Sequence, residues 1–417
     1  MIRGARVRDD APLVDIAILE GRIGAIGTDL DIEAPTSIHA GGRATLPGLI
    51  EAHIHLDKAL LARRRPSVTG TLEEAIRVTG ELKATRDRAD MLERAGRVIE
   101  MAVRNGTTTL RAHPDVDPIQ GLLGVEVMLE LRERYHDLVD LQIVAFPQEG
   151  LLKAPGTEAL LIEALRLGAD VIGACPYNEA SFDDTVRHID RVFDLAARFD
   201  VDIDMHADFA DDTRDPRFAA VSHIAEKTLA TGYQGRVSLG HVTSLGAVEP
   251  ERLAPMVDAL RRADIHIVTL PATDLYLGGR TDTHAHRRGL TPVKALLDGG
   301  VNVVYASNNV RNAFTPFGRA DMLSVGNLLA HAAQLGTPAQ QASVLEMATT
   351  RAARAIGLRD YGIAVGNQAD LVIFDCERVD DILLDVPARS WVIKRGRIAV
   401  TTHHCCELHR AHALQDL

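Results

Sequence analysis

The hydrophobic positions of this chain fall into two textures. Near the N-terminus, in LVDIAILEGRIGAIG and SIHAGGRATLPG, apolar and polar residues alternate over short runs broken by glycine, a strand-and-turn pattern. The same texture returns near the other end, in NQADLVIFDCERVD and ARSWVIKRGRIAV. Neither segment is large enough to bury a sheet face alone. The pattern therefore predicts one small β-sandwich domain assembled from residues 1–47 and 362–417 together.

Between these ends, over residues 48–361, short apolar runs alternate with stretches whose apolar residues recur three and four apart. The runs are TLPGLIEAHIHLD, TTTLRAHPDVD, LVDLQIVAFPQEG, ADVIGACPYN, VDIDMHADF, VSLGHVTSL, IHIVTLPATD and VNVVYASNN. Strand–helix alternation repeated so often predicts an α/β protein of the (β/α)8 TIM-barrel type. The rival, an open doubly wound sheet, usually stops at about five to seven strands. The closing THHCCELHRAHALQDL reads as a polar terminal extension.

Charge narrows the partners. The chain has 417 residues and a formal net charge of −12, which argues against a nucleic-acid or anionic-membrane surface. No apolar run is long enough to span a bilayer, and MIRGARVRDDAP lacks the apolar centre of a signal peptide. The cysteines, Cys175, Cys376, Cys405 and Cys406, are too few and too clustered for a disulfide framework. A cytoplasmic protein acting on a small molecule is expected, with homo-oligomer formation left open.

The 17 histidines carry the chemistry. In a barrel of this type the reactive groups sit at the carboxyl ends of the strands. His53 and His55 end the first predicted strand, His113 the second, His206 the fifth and His241 the sixth; Gln148 follows the third, and Asn308 and Asn309 end the eighth. Residues two apart on a strand share a face, so both imidazoles of HIH look the same way. Imidazole suits zinc and iron, and a catalytic site keeps one position free for water. One strand histidine is easily an ordinary hydrogen-bonded group, but histidines ending several strands of one barrel point to a metal. The C-terminal HHCC competes for that role; adjacent residues rarely close a tetrahedron, and the usual spaced pairs are missing. Cys376 reads as a buried strand residue, and Cys175 ends the fourth strand beside the expected pocket.

With LPGLIEAHIHLDK, HADFADD, GHVTS and the terminal β-domain, the chain resembles the amidohydrolase superfamily. Within it, LQIVAFPQEG, DTHAHRRGLTPVKALLDGGVNV and DYGIAVGNQADLVIF are similar to bacterial cytosine deaminase. HLDK, VDIDMH and ASNNVRNAFTPFG are similar to N-isopropylammelide amidohydrolase. The resemblance implies a single divalent ion, zinc or iron, held by His53, His55 and His206. It implies that His241 polarises the substrate or stabilises a developing oxyanion, and that Gln148 binds an amide-like ring edge. Lys58 matches the ammelide enzyme. Asp115 is expected beneath the ligands or as a polar pocket floor, His113 there or against the substrate, and Phe209 and Asn309 against the substrate. Arg280 carries no assigned role.

Two positions depart from that pattern. The family ends strand eight with an aspartate that ligates the metal and takes a proton from its water; here it is Asn308. The deaminases place a glutamate three residues after the strand-five histidine; here it is Phe209. An amide oxygen can ligate weakly but cannot accept a proton at neutral pH. Asp208, two residues after His206, is expected to aim into the same cavity, and either it or His241 is expected to supply the missing base; Asp57 and Lys58 are placed to reach the water or the substrate.

The expected function is thus metal-dependent hydrolysis of a C–N bond in or on a small nitrogen heterocycle. The alternatives are a binding or regulatory protein on an altered scaffold, or a non-hydrolytic metal-assisted reaction such as decarboxylation.

Overall fold

The computed structural model describes residues 1–85 and 87–409; residues 410–417 of the expected terminal extension lie outside this range. The chain opens with β1 (Ile2–Ala5), β2 (Val14–Leu19), β3 (Arg22–Gly27) and β4 (Ile38–His39), a sheet in the order β3-β2-β1-β4. It then passes through β5 (Thr45–Pro47) into eight strands that run parallel and in sequence order. These are β6 (Leu49–Ile54), β7 (Thr107–Ala112), β8 (Asp140–Ala145), β9 (Val171–Ala174), β10 (Asp202–Ala207), β11 (Val237–His241), β12 (His266–Thr269) and β13 (Asn302–Tyr305). The last strands are β14 (Leu371–Phe374), β15 (Arg389–Lys394) and β16 (Arg397–Thr401), in a sheet ordered β16-β15-β14-β5.

The eight-stranded sheet curls into a barrel because its strands are apolar on both faces and helices cover the outside. Nearly every residue of the eight strands is buried. A parallel bridge between Ile54 and Asn308 joins the first strand to the chain leaving the eighth. Gly48 is required at the entry to β6: a Cβ there would lie 2.1 Å from Thr108 Oγ1. The helices follow ordinary local rules. In Arg88–Arg104, Asp87 accepts the Asp90 N–H as a cap, and Met91, Ala95, Val98, Ile99 and Ala102 form the buried face.

The second small sheet draws strands from both ends of the chain, because β5 pairs antiparallel with β14 (Leu46 with Val372). The two small sheets share a core of Ile2, Ile16, Ile23, Leu371, Ile373 and Ile393. One buried cation stitches this unit to the barrel. Lys394 Nζ donates to Thr108 O at 3.0 Å, Asp140 Oδ2 at 2.7 Å and Asp370 Oδ2 at 2.6 Å.

Cys376 lies beyond β14 and is half-buried, so it is not the buried strand residue expected; the strand ends at Phe374, before it. His403, His404, Cys405 and Cys406 are exposed and lie in no regular element. Among the described residues no helix is long and apolar enough to cross a membrane.

Candidate active site

Two strand ends bring three imidazoles to one point. His53 lies on β6 and His55 directly after its last residue, and His206 enters from β10. His206 Nε2 is 3.2 Å from His53 Nε2 and 3.1 Å from His55 Nε2. His55 Nδ1 donates to the His113 carbonyl at 2.9 Å, which leaves its Nε2 with a lone pair facing the other two rings. A tetrahedral zinc ion with Zn–N near 2.0–2.1 Å sets its ligand nitrogens about 3.3 Å apart, so this donor set fits such a cation. Burial holds all three rings in the neutral, ligating form. It pushes His53 down to about 3 and drives His55 and His206 well below the usual histidine range, with the Lys58 ammonium adding to it at His55.

Asn308 completes the rim. Its side-chain oxygen is buried without a hydrogen-bond partner among the described residues, and the residue lines the cavity, which suits a weak neutral oxygen donor. The backbone turns sharply at these strand ends. Asp208, His241, Val242 and Asn308 have φ of +49°, +71°, +53° and +59°, conformations that cost roughly 1–3 kcal/mol each and cluster at functional sites.

His241 stands across the cavity, its ring centroid 5.0 Å from that of His206. Its Nδ1 lies 2.7 Å from Asp274 Oδ1, a buried carboxylate on the short helix Pro271–Leu277. Burial raises the Asp274 carboxyl, opposed by His241 and by the Leu270 N–H. As a carboxylate it only accepts, so Nδ1 carries the hydrogen and Nε2 stays free. Phe209 stacks on His241 with centroids 4.1 Å apart.

The cavity, about 480 Å³ counting its open mouth, has a polar wall of His55, Lys58, Gln148, His206 and Asn308. Its apolar wall is Leu72, Ile76, Phe209 and Phe314. Lys58 is buried, and its ammonium donates to Asp115 Oδ1 at 2.6 Å. Gln148 Nε2 lies 3.8 Å from Cys175 Sγ, while Asn178 Nδ2 holds the Gln148 carbonyl at 2.7 Å. Asn309 also lines the cavity, its amide oxygen accepting from Asn312 Nδ2 at 2.7 Å.

Two expected residues sit elsewhere. Asp208 does not line the cavity; its carboxylate oxygens accept the Ala220 and Val221 N–H groups at 2.9 and 3.1 Å, where the helix Val221–Thr231 begins. The strand ends at Ala207, so the alternation that would aim Asp208 beside His206 has already stopped. His113 lies behind the ligands rather than against substrate, its ring stacked on His53 at 3.7 Å. Arg280 packs over Tyr276 and donates to the Thr69 carbonyl, apart from the cavity lining.

Sequence reasoning missed Asp274 and Asp204. Asp204 Oδ1 lies 3.2 Å from His113 Nε2 and 3.6 Å from His53 Nδ1, and Arg111 Nη1 donates to its other oxygen at 3.0 Å. It stands behind the His53 and His113 rings, where a carboxylate orients them. Its spacing two residues before His206, on the same face of β10, was a usable signal. Asp274 offered none, because it meets His241 only through the fold.

Known proteins resemble this chain along most of its length. The sequence pattern of the amidohydrolase family matches residues 65–400. N-isopropylammelide isopropyl amidohydrolase of Pseudomonas sp. (strain ADP) is 29% identical over 411 residues, covering 96% of each chain. Pterin deaminase of Rhizobium rhizogenes is 30% identical over 355 residues, covering 84% of this chain and 79% of the relative. The crystal structure of 5-methylcytosine deaminase from Klebsiella pneumoniae liganded with 5-fluorocytosine superposes with a TM-score of 0.92 at 29% identity, covering 99% of both chains. A barrel closed at Asn308, a histidine cluster on its strand ends and a match spanning most of the sequence lead to one assignment: this chain belongs to the amidohydrolase family and is a hydrolase.

Proposed function

We propose that this protein is a metal-dependent hydrolase that cleaves a C–N bond in, or attached to, a small nitrogen heterocycle of pyrimidine, triazine or cyclic-amide type. Its cofactor is one divalent ion, zinc or iron. The observation that carries this reading is the convergence of His53, His55 and His206 through their Nε2 atoms at the base of a cavity that also presents His241, Lys58 and Gln148. The names of the relatives, an ammelide hydrolase and deaminases of pterin and 5-methylcytosine, support a ring substrate.

His53, His55 and His206 would hold the ion, with Asn308 as a neutral oxygen donor. A bound ion would supply Lewis acidity and lower the pKa of a water toward neutral. Asn308 cannot accept that proton, and Asp208 is occupied at a helix start. His241, kept in the Nδ1–H form by Asp274, presents Nε2 to take the proton and return it to the leaving nitrogen. Gln148 offers an amide to a ring edge, and the Lys58 ammonium offers positive charge to a ring carbonyl. Leu72, Ile76, Phe209 and Phe314 favour an alkylated or larger ring over cytosine itself.

The test is metal content together with release of ammonia or amine on a panel of triazines, pyrimidines, pterins, hydantoins and creatinine-like rings. His206→Ala should lose both metal and turnover. A metal-loaded parent that releases nothing from the panel overturns the hydrolase reading.

One observation favours a second reading: among the described residues no carboxylate lines the cavity. That fits a scaffold retained for binding, or a metal-assisted reaction such as decarboxylation that needs no base at position 308. Tight binding of a ring without turnover would identify the first, and release of carbon dioxide the second.

A further inference from the structure

The helix Leu72–Lys83 supplies two cavity residues, Leu72 and Ile76, yet it stands apart from the barrel core. Its buried Ala75 and Val78 pack with Ala313 in a separate small apolar cluster that Leu82 and Phe314 flank. At its other end Lys83 is fully buried and meets three carboxylates. Nζ lies 3.0 Å from Asp115 Oδ2, 2.7 Å from Asp117 Oδ2 and 2.7 Å from Glu149 Oε1.

Those carboxylates are not equivalent in what they carry. The other oxygen of Asp115 holds the Lys58 ammonium at 2.6 Å, so one carboxylate bridges two buried cations. Glu149 follows Gln148 directly in the chain. Asp117 Oδ1 accepts the Ile119 and Gln120 N–H groups and shapes the turn after β7. A buried ion network of this kind has little freedom to rearrange, because any group that loses its partner is left desolvated and uncompensated.

We propose that Lys83 is a positioning residue of the site. Through Asp115 it sets where the Lys58 ammonium stands, through Glu149 it holds the loop that carries Gln148, and it pins the helix bearing Leu72 and Ile76 over the cavity. This rests on the reading of Lys58 and Gln148 as substrate-facing groups.

The decisive variant is Lys83→Met, read without any turnover assay by acetic-anhydride labelling of lysines and by hydrogen exchange of residues 67–84. Lys58 labelling should rise about tenfold or more and exchange over 67–84 should quicken, since a local opening has become easier. Lys394, buried and ion-paired at the far end of the barrel, should label as slowly as in the parent. Lys83→Arg should recover part of the protection. In steady state, KM should rise more than kcat falls. Unchanged Lys58 labelling overturns the proposal, and so does a parallel rise of Lys58 and Lys394, which would mean general loosening. If Lys83→Met does not fold, Glu149→Gln removes one of the three contacts; it should quicken exchange over 67–84 to a smaller degree, and no change overturns the proposal. Because labelling and exchange need no catalysis, an inactive protein that responds as expected overturns the hydrolase reading and leaves the role of Lys83 standing.

Discussion

His241 and Asp274 form a buried hydrogen-bonded pair, Nδ1 to Oδ1 at 2.7 Å, and this contact decides which imidazole nitrogen the cavity sees. An asparagine at 274 can turn its NH2 toward Nδ1, which stabilises the opposite tautomer and places a hydrogen where a lone pair is needed. Asp274→Asn is expected to lower kcat by about a hundredfold or more while metal content stays at the parental level. Equal losses of metal and activity would place Asp274 in the support of the ligands instead.

Asn308 leaves the donor set without an anionic ligand. Replacing it with aspartate should slow metal loss to a chelator by about tenfold or more. Turnover is expected to rise less than retention, because the proposed proton transfer runs through His241 rather than position 308. Asp208→Asn is the companion measurement. It should cost about 1–2 kcal/mol in stability through the weakened helix start and leave turnover per folded, metal-loaded molecule unchanged. A large loss of specific activity in Asp208→Asn would return that carboxylate to the mechanism.

Phe209 stacks on His241 where a deaminase of the cytosine type would need an acid for the ring nitrogen. Cytosine should therefore be turned over about a hundredfold less efficiently than the best alkylated ring of the panel, the size of contribution expected from one positioned acid. Rapid cytosine deamination by the purified protein would contradict this.

Glu179 gives the site a pH-dependent support. It accepts the Leu151, Leu152 and Lys153 N–H groups at 2.5, 3.0 and 2.8 Å and pairs with His188 Nδ1 at 2.7 Å, holding the loop that follows Gln148. Burial pushes its carboxyl up, but His188 and the backbone donors outweigh burial and hold it down to about 2. A depressed carboxylate contributes stability above its unfolded value, near 4.5, and loses it as pH falls toward 2. Glu179→Gln should cost about 1–2 kcal/mol at pH 7, and the difference from the parent should shrink steadily below about pH 4.5. Denaturant unfolding of both proteins at pH 7 and pH 3 checks this; a pH-independent difference would mean the charge is not the source.

The eight barrel strands were legible because each is a short apolar run bounded by turn residues, and the HIH register was legible because side chains two apart on a strand share a face. Asp208 was misread by the same rule, applied one residue past the end of β10, where a left-handed φ of +49° redirects the chain. The pairings that orient the site were not legible. His241 meets Asp274, His53 approaches Asp204, and Lys58 and Lys83 share Asp115 across long stretches of sequence.

Local pattern alone carries the repeating alternation, the histidines on strand ends and the absence of a carboxylate at positions 308 and 209. Those follow from local periodicity and residue chemistry, which each segment carries alone. Packing alone set which carboxylate meets which histidine, which face of the cavity is apolar, and that Asp208 accepts N–H groups at the start of a helix. Barrel closure brings distant residues within hydrogen-bonding reach, and a buried carboxylate spends its acceptors on whichever N–H groups or cations the packing places beside it.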